Sequence, residues 1–298
     1  MPSPRSLSPR PLTFRPLLPL AALLPLAALA QDPTSTPLLP GPALVRADPG
    51  LPKWEAGLVV GGGRVADYPG ADRSETRGLL APVLIYRGDV LRIEGNSIRG
   101  RVARSSDWEL DLSASAAFNS RSNPARRGMP ALDYMFGLGP QLVYKGLRDR
   151  PGSPALHLNA RAVMSTDFSG VAHRGAVVDP ELRWRLDPAL GVPARVTFGI
   201  QPTWASRSLQ HYFYGVSPEQ ATAWRPAYEA RAGYLGTEFK LTVSRNLGRS
   251  ASWFAGLRAL SLHGAANDAS PLLRDRSNFS LGAGVSWTPW RSGDRAAD

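Results

Sequence analysis

Run after run of alternating apolar and polar side chains is the feature that most restricts the folds open to this chain. In WELDLSASAAF, Trp108, Leu110, Leu112, Ala114, Ala116 and Phe118 share one face, and Glu109, Asp111, Ser113 and Ser115 share the other. ALHLNARAVM sets Leu156, Leu158, Ala160, Ala162 and Met164 against His157, Asn159 and Arg161. ELRWRL sets Leu182, Trp184 and Leu186 against Glu181, Arg183 and Arg185, and ARVTFGIQPTW sets Val196, Phe198, Ile200 and Trp204 against Arg195, Thr197, Gln201 and Thr203. Phe239, Leu241 and Val243 oppose Lys240, Thr242 and Ser244. FSLGAGVSW sets Phe279, Leu281, Ala283, Val285 and Trp287 against serine and glycine. A period of two is the geometry of the extended strand. No long helical pattern interrupts it.

Two architectures use such strands. A soluble sandwich buries the apolar face and wets the polar one. An outer-membrane barrel turns the apolar face to lipid and lines its lumen with the polar one. Here the polar faces hold Gly, Ser and Ala among their charges, which suits a narrow lumen. Trp and Tyr cluster at strand ends (Trp54, Tyr86, Trp108, Tyr144, Trp204, Trp253, Trp287), as aromatic girdles require. Runs of roughly ten residues recur between Gly, Pro, Asn and Asp. The expectation is an all-β fold: an antiparallel transmembrane β-barrel of about twelve strands, of outer-membrane type. Strands are predicted near 54–63, 77–87, 89–95, 97–104, 107–118, 134–145, 155–165, 177–187, 194–204, 228–246, 251–262 and 278–288. The run 228–246 is divisible into two around Gly236. RGD at 87–89 and EGNS at 94–97 read as tight turns. Residues 119–133, 166–176, 205–227 and 263–277 are the expected external loops.

The N-terminus agrees with export. Arg5, Arg10 and Arg15 precede an apolar segment too short to span a bilayer, which ends in Ala28-Leu29-Ala30. Residues 1–30 therefore read as a signal peptide cleaved between Ala30 and Gln31. Residues 31–53 hold six prolines and read as an extended periplasmic linker. The barrel is expected over 54–290, with a polar tail at 291–298. Loss of the signal removes three arginines and no acid, taking the formal charge from +11 to +8. The arginines are scattered, with no basic helix or RNA-binding aromatic motif, so the surplus points to anionic lipid, lipopolysaccharide or cell-wall polymer and not to nucleic acid. There is no cysteine, hence no disulfide framework, thiol nucleophile or Cys-based zinc site.

In GLVVGGGRVADYPGAD, Gly61, Gly63 and Ala66 have the spacing of a dinucleotide fingerprint. That reading needs a helix after the glycines, and Pro69-Gly70 would break it within its first turns. Small residues on a strand facing a crowded lumen account for the glycines. DYPGAD (67–72) followed by LLAPVLIYRGD (79–89) instead resembles the start of the MipA/OmpV family of MltA-interacting proteins. YGVSPEQATAWRPAYEARAGYLG (214–236) and NDASPLLRDRSNFSLGAGVSW (267–287) resemble later segments of that family in the same order. The resemblance rests on Tyr68, Pro69, Gly70 and Asp72 in the turn and on Tyr214, Gly215 and Val216 in the loop, and spans roughly 54–290. It implies an outer-membrane barrel and a scaffold joining a lytic murein transglycosylase to a murein synthase, with no agreed catalytic residue and no cofactor. The sequence departs from the usual barrel ending, since RSGDRAAD follows Trp290.

Catalytic chemistry is thinly represented. No G-x-S-x-G elbow, H-E-x-x-H or EF-hand loop occurs. A barrel-embedded lipid hydrolase would rely on His157 or His211. Asp67 and Asp72 flank a turn, which solvent ordinarily explains better than calcium. Arg64, Arg126 and Arg127 could grip lipopolysaccharide phosphates, though exposed arginines are ordinarily just solvated. The lumen charges Glu109, Asp111, Arg161, Arg183, Arg185, Arg195 and Lys240 must pair or be hydrated. They form either an internal ion-pair network or the wall of a small-solute channel with a preference for anions.

Overall fold

The computed structural model describes residues 52–87, 91–94, 97–100, 103–104, 107–117, 123–144, 153–186 and 193–294. The cleavage site at Ala30 and Gln31, nearly all of the Pro-rich segment and the last four residues lie outside these. So does the RGD turn beyond Arg87.

Thirteen strands make one antiparallel sheet. In chain order they are β1 (Trp54–Ala66), β2 (Ser74–Arg87), β3 (Leu91–Glu94), β4 (Ser97–Gly100), β5 (Ala103–Arg104), β6 (Trp108–Ala117), β7 (Tyr134–Tyr144), β8 (Ala155–Thr166), β9 (Val171–Leu186), β10 (Arg195–Ala205), β11 (Gly233–Asn246), β12 (Ala251–Ser261) and β13 (Ser277–Arg291). Each pairs with its neighbour in sequence, except that β1 also pairs with β13 and that β4 and β5 stand at the two ends of the order. β4 also lies alongside β6. The strand count exceeds the expected twelve because the run 97–104 is divided into β4 and β5. Ten strands have ten or more residues; β3, β4 and β5 are short.

Two loop expectations are corrected. Residues 166–176 are not a long loop: β8 runs to Thr166 and β9 starts at Val171, leaving a four-residue turn. Alternation fails there because the register shifts between Val163 and Met164, and Gly175 lies opposite Val163 with φ at 133°. Residues 228–246 hold one strand beginning at Gly233. The segment 206–232 also contains a short helix, α1 (Arg207–Tyr214).

The burial pattern is that of a soluble protein turned inside out. Asp111, Asn159, Arg161, Asp179, Glu181, Gln201, Glu238 and Arg258 are buried, whereas Leu58, Val60, Leu80, Leu138, Phe239, Leu257, Phe279, Leu281 and Val285 are exposed. A sandwich would have the reverse. The sheet thus buries its polar face and exposes its apolar one. One part of it is apolar: Val59, Ala81, Val83, Ile85 and Phe254 form a small cluster bordered by Leu79.

Antiparallel order places the two ends of the sheet in different company. At one end lie both its terminal strand ends and the short turn 247–250. The loops 67–73, 123–133, 206–232 and 262–276 all lie at the other. Sequence does not stop abruptly at Trp290. β13 reaches Arg291, Ser292 donates its amide to the Trp54 carbonyl at 2.9 Å, and Lys53 donates to the Asp294 carbonyl at 2.9 Å.

Candidate functional site

On the buried polar face the charges are paired, most of them across strands. Arg161 on β8 binds Asp179 on β9, which is 0% exposed. Asp179 Oδ1 also accepts from Asn159 Nδ2 and Gln201 Nε2, both at 2.7 Å, and Gln141 in turn donates to Asn159. Next along β9, Glu181 accepts from Arg183 and from Lys240 Nζ at 2.6 Å. Lys240 reaches it from β11, across the whole width of β10. Gly199 makes that possible: a Cβ there would come within 2.8 Å of Glu181 Oε1 and 3.2 Å of the Lys240 chain. Arg258 on β12 meets Glu238 on β11 at 3.0 Å.

Of the charges expected in the lumen, Arg161, Arg183 and Lys240 are therefore brought into one network. Asp111 is buried on β6 and Glu109 is half-buried beside it; Arg195 is half-buried and Arg185 exposed where β9 and β10 end. The acids that hold the network together, Asp179 and Glu181, were not among the site residues expected from sequence. The signal for them existed, because both share the polar face of β9 with Arg183. His157 lies opposite Glu181 on this face, and His211 is exposed on α1.

A second assembly fills the loop end, and it gathers the three segments that carry the family resemblance. Tyr68 donates its hydroxyl to the Leu272 carbonyl at 2.9 Å, and Tyr214 donates its own to the Pro69 carbonyl at 3.0 Å. Ser270 Oγ donates to the Tyr214 carbonyl at 2.8 Å. Gly70 donates to Asn278 Oδ1 at 2.6 Å, and its carbonyl accepts from the amides of Arg274 and Asp275. Gly70 adopts φ of 81°, a conformation costly for other residues, and a Cβ would press on Leu273 at 3.0 Å. Asp72 pairs with Arg274 at 3.5 Å. Gly215 donates to the His211 carbonyl, and Val216 exchanges backbone hydrogen bonds with Tyr228. Around these contacts Leu132, Leu209, Phe213, Leu235, Leu262 and Leu272 make an apolar core. These loops pack on one another into a cap with an apolar core.

Two arginines pin the cap from within. Arg225, 1% exposed, donates to the carbonyls of Ala125 at 2.9 Å, Arg127 at 3.1 Å and Gln220 at 2.7 Å. Arg126 donates to the Phe213 carbonyl at 2.8 Å, and burial pulls its guanidinium below the usual arginine range. Arg126 is thus committed inside the protein, which removes it as a contact for lipopolysaccharide phosphates. Arg64 and Arg127 remain exposed. Among the described residues no group of three or more His, Asp or Glu could hold a metal. Asp72 serves Arg274, and Asp67 Oδ2 accepts from Asn123 Nδ2 at 2.8 Å, so the two acids flanking the turn act as loop ties.

Comparison with known proteins matches the family described as MltA-interacting protein MipA over residues 58–289. The chain belongs to the MipA family. No curated protein matches significantly. Among solved structures, the NanC porin structure in a rhombohedral crystal form aligns at 12% identity with a TM-score of 0.37, covering 77% of this chain and 98% of that one. In this MipA-family chain the motif residues Tyr68, Pro69, Gly70, Tyr214 and Val216 are thus found packed in the cap.

Burial raises Asp67 above the usual aspartate range, with the Asn123 hydrogen bond opposing. A raised carboxylate favours the protonated fold, so this group adds stability as pH falls through its folded pKa and loses it as pH rises. Asp67→Asn should leave the cap at least as stable at pH 7 and flatten its pH dependence above the ordinary aspartate range relative to wild type, read as loop hydrogen exchange. An unchanged pH profile would rule out Asp67 as its source.

Proposed function

We propose that the chain closes into an outer-membrane barrel whose interior does not conduct, and that it serves as a non-enzymatic scaffold for murein-remodelling proteins. Closure is supported by the two ends of the strand order, β4 and β5, which are two residues apart in sequence while β4 also flanks β6. In a bilayer an open sheet edge would strand its backbone groups, so a sheet with this lipid-suited exterior favours closure. Aromatic pairs flank the apolar belt at both ends: Trp108 with Tyr144 and Trp287 with Trp290 at the terminal end, Tyr134 with Phe168 and Trp204 with Tyr234 at the loop end. Tyr134 and Tyr144 bound β7, about 34 Å of strand at ~3.4 Å per residue. At the usual strand tilt this spans an apolar band of about 25 Å. Short turns and termini at one end assign that end to the periplasm, and the cap to the outside.

The single observation that carries the scaffold reading is the pairing of the buried charges, together with the apolar-cored loop assembly at one end of the sheet. Such a barrel offers partners its periplasmic end and the Pro-rich segment, exported with cleavage before Gln31. The transglycosylase partner follows the family's description as MltA-interacting, and the murein synthase is what the family resemblance implies.

The test is conductance in planar bilayers together with capture of a transglycosylase from the periplasm at high salt. Silent bilayers and salt-resistant capture are expected. Stepwise conductance with an anion preference abolished by Arg183→Glu would establish the channel instead. Lipid hydrolysis lost in His157→Ala or His211→Ala would establish an enzyme.

A further inference from the structure

Two columns of outward apolar side chains end in arginine. On β1, Leu58 and Val60 lead to Arg64 at the loop end; on β11, Phe239, Leu241 and Val243 lead to Arg245 at the terminal end. Register fixes the side on which Arg245 lies. It stands opposite Trp253, and Trp253 stands opposite Val285, which is 45% exposed. Its neighbour Ser244 is buried on the other face with Glu238.

An arginine at the end of a hydrocarbon-facing column carries its guanidinium along its methylene stem to the nearest polar layer. The surroundings say which layer that is. Besides Trp253 across the strand pair, Trp287 lies opposite Ala251 and is 52% exposed. Tryptophan at strand ends marks the headgroup level. Leu247, 57% exposed, follows in the turn 247–250, where its amide donates to the Ala251 carbonyl at 2.8 Å. An exposed leucine beyond the arginine favours a turn that stays in the headgroup layer over one that stands in open water. Arg249 is exposed in the same turn. The positive charge is not cancelled from within. Among the described residues neither Arg245 nor Arg249 forms an ion pair, and Glu238, the acid of β11, is taken up by Arg258 at 3.0 Å.

Resting on the barrel reading above, we propose that Arg245 and Arg249 bind the phosphate of an anionic phospholipid in the periplasmic leaflet, beside Trp253 and Leu247. A guanidinium presents a planar fork that matches two phosphate oxygens. Two cations without an acid select against a zwitterionic headgroup, whose own ammonium they repel. The acyl chains then lie along the exposed column of β11 above, against Leu241 and Phe239. No covalent step is involved.

The test is native mass spectrometry of the detergent-extracted protein, titrated with phosphatidylglycerol or with phosphatidylcholine of identical chains. Only protein with the heat-dependent gel shift of a folded barrel is scored. Wild type is expected to bind phosphatidylglycerol about ten-fold more tightly than phosphatidylcholine. Arg245→Gln and Arg249→Gln should each lower the phosphatidylglycerol affinity about five-fold, and their combination should abolish the preference. Arg231→Gln, which removes an exposed arginine from the cap, should change neither affinity. Equal affinity of wild type for the two lipids, a preference that survives the double variant, or an equal loss in Arg231→Gln each overturns the site and leaves the barrel standing. Wild-type protein that shows no heat-dependent shift overturns the barrel reading and the site with it.

Discussion

Asp179→Ala should lower the stability of the folded protein by about 3–5 kcal/mol, the usual cost of breaking a buried ion pair from one side. Asp179 has no exposure and accepts from Arg161, Asn159 and Gln201 together. Its removal leaves the Arg161 guanidinium, 3% exposed, inside the protein without its acid, and leaves two side-chain amides short of an acceptor. The measurement is the temperature at which the detergent-extracted protein loses its folded gel mobility. The double replacement Arg161→Met with Asp179→Leu should recover much of the loss, since an apolar pair carries no stranded charge. A loss below about 1 kcal/mol in the single variant would mean that water reaches this face freely, and the filled interior would have to be abandoned.

Arg225→Ala should act at the other assembly and on a different readout. The guanidinium ties three carbonyls from two loops, so alanine leaves them unsatisfied and opens a cavity beneath the cap. Each buried unsatisfied group costs about 1–3 kcal/mol, and the sum is large against the stability of a loop assembly. The expected outcome is rapid proteolysis within 206–232, with the strands retaining their heat-dependent mobility. Arg225→Lys should do little better, because an ammonium cannot reproduce the planar fork. A cap as protease-resistant as wild type in both variants would show that the apolar core around Leu209, Phe213 and Leu272 suffices by itself.

The strands were readable because each carries its evidence locally. Alternation in WELDLSASAAF or ALHLNARAVM needs no knowledge of the partner strand, and the structure places β6 and β8 on those runs. The early start of β9 at Val171 was not readable, since a register shift beside Gly175 breaks the period that a strand prediction follows. The network was half legible. Period two put Arg161, Arg183 and Lys240 on the inner face, but which acid each would meet depends on register between strands. Gly199 looks like a weak point in a strand until Glu181 and Lys240 are seen to pass over it. The cap was visible only as family resemblance. Leu272 and Leu273 follow no period, Leu209 and Phe213 share a face of a helix only eight residues long, and the partners that bury them lie far away in sequence, as with Tyr68 and Leu272 at a separation of 204 residues. Arg126 looked like a surface cation for the same reason.

The pairing of β1 with β13 has a consequence for how the chain acquires this shape. The first and last strands are neighbours along most of their length, and the bond between Trp54 and Ser292 joins residues 238 apart. Contacts this remote are slow to form, since a long loop must be closed before any reward is gained. β1 has no permanent neighbour on that side until the end of the chain has been synthesised and delivered. For that whole interval an edge rich in glycine and valine, Gly57 to Gly63, waits exposed. The vulnerability of such a chain to aggregation thus lies in timing, before β13 arrives, ahead of any weakness in the finished fold.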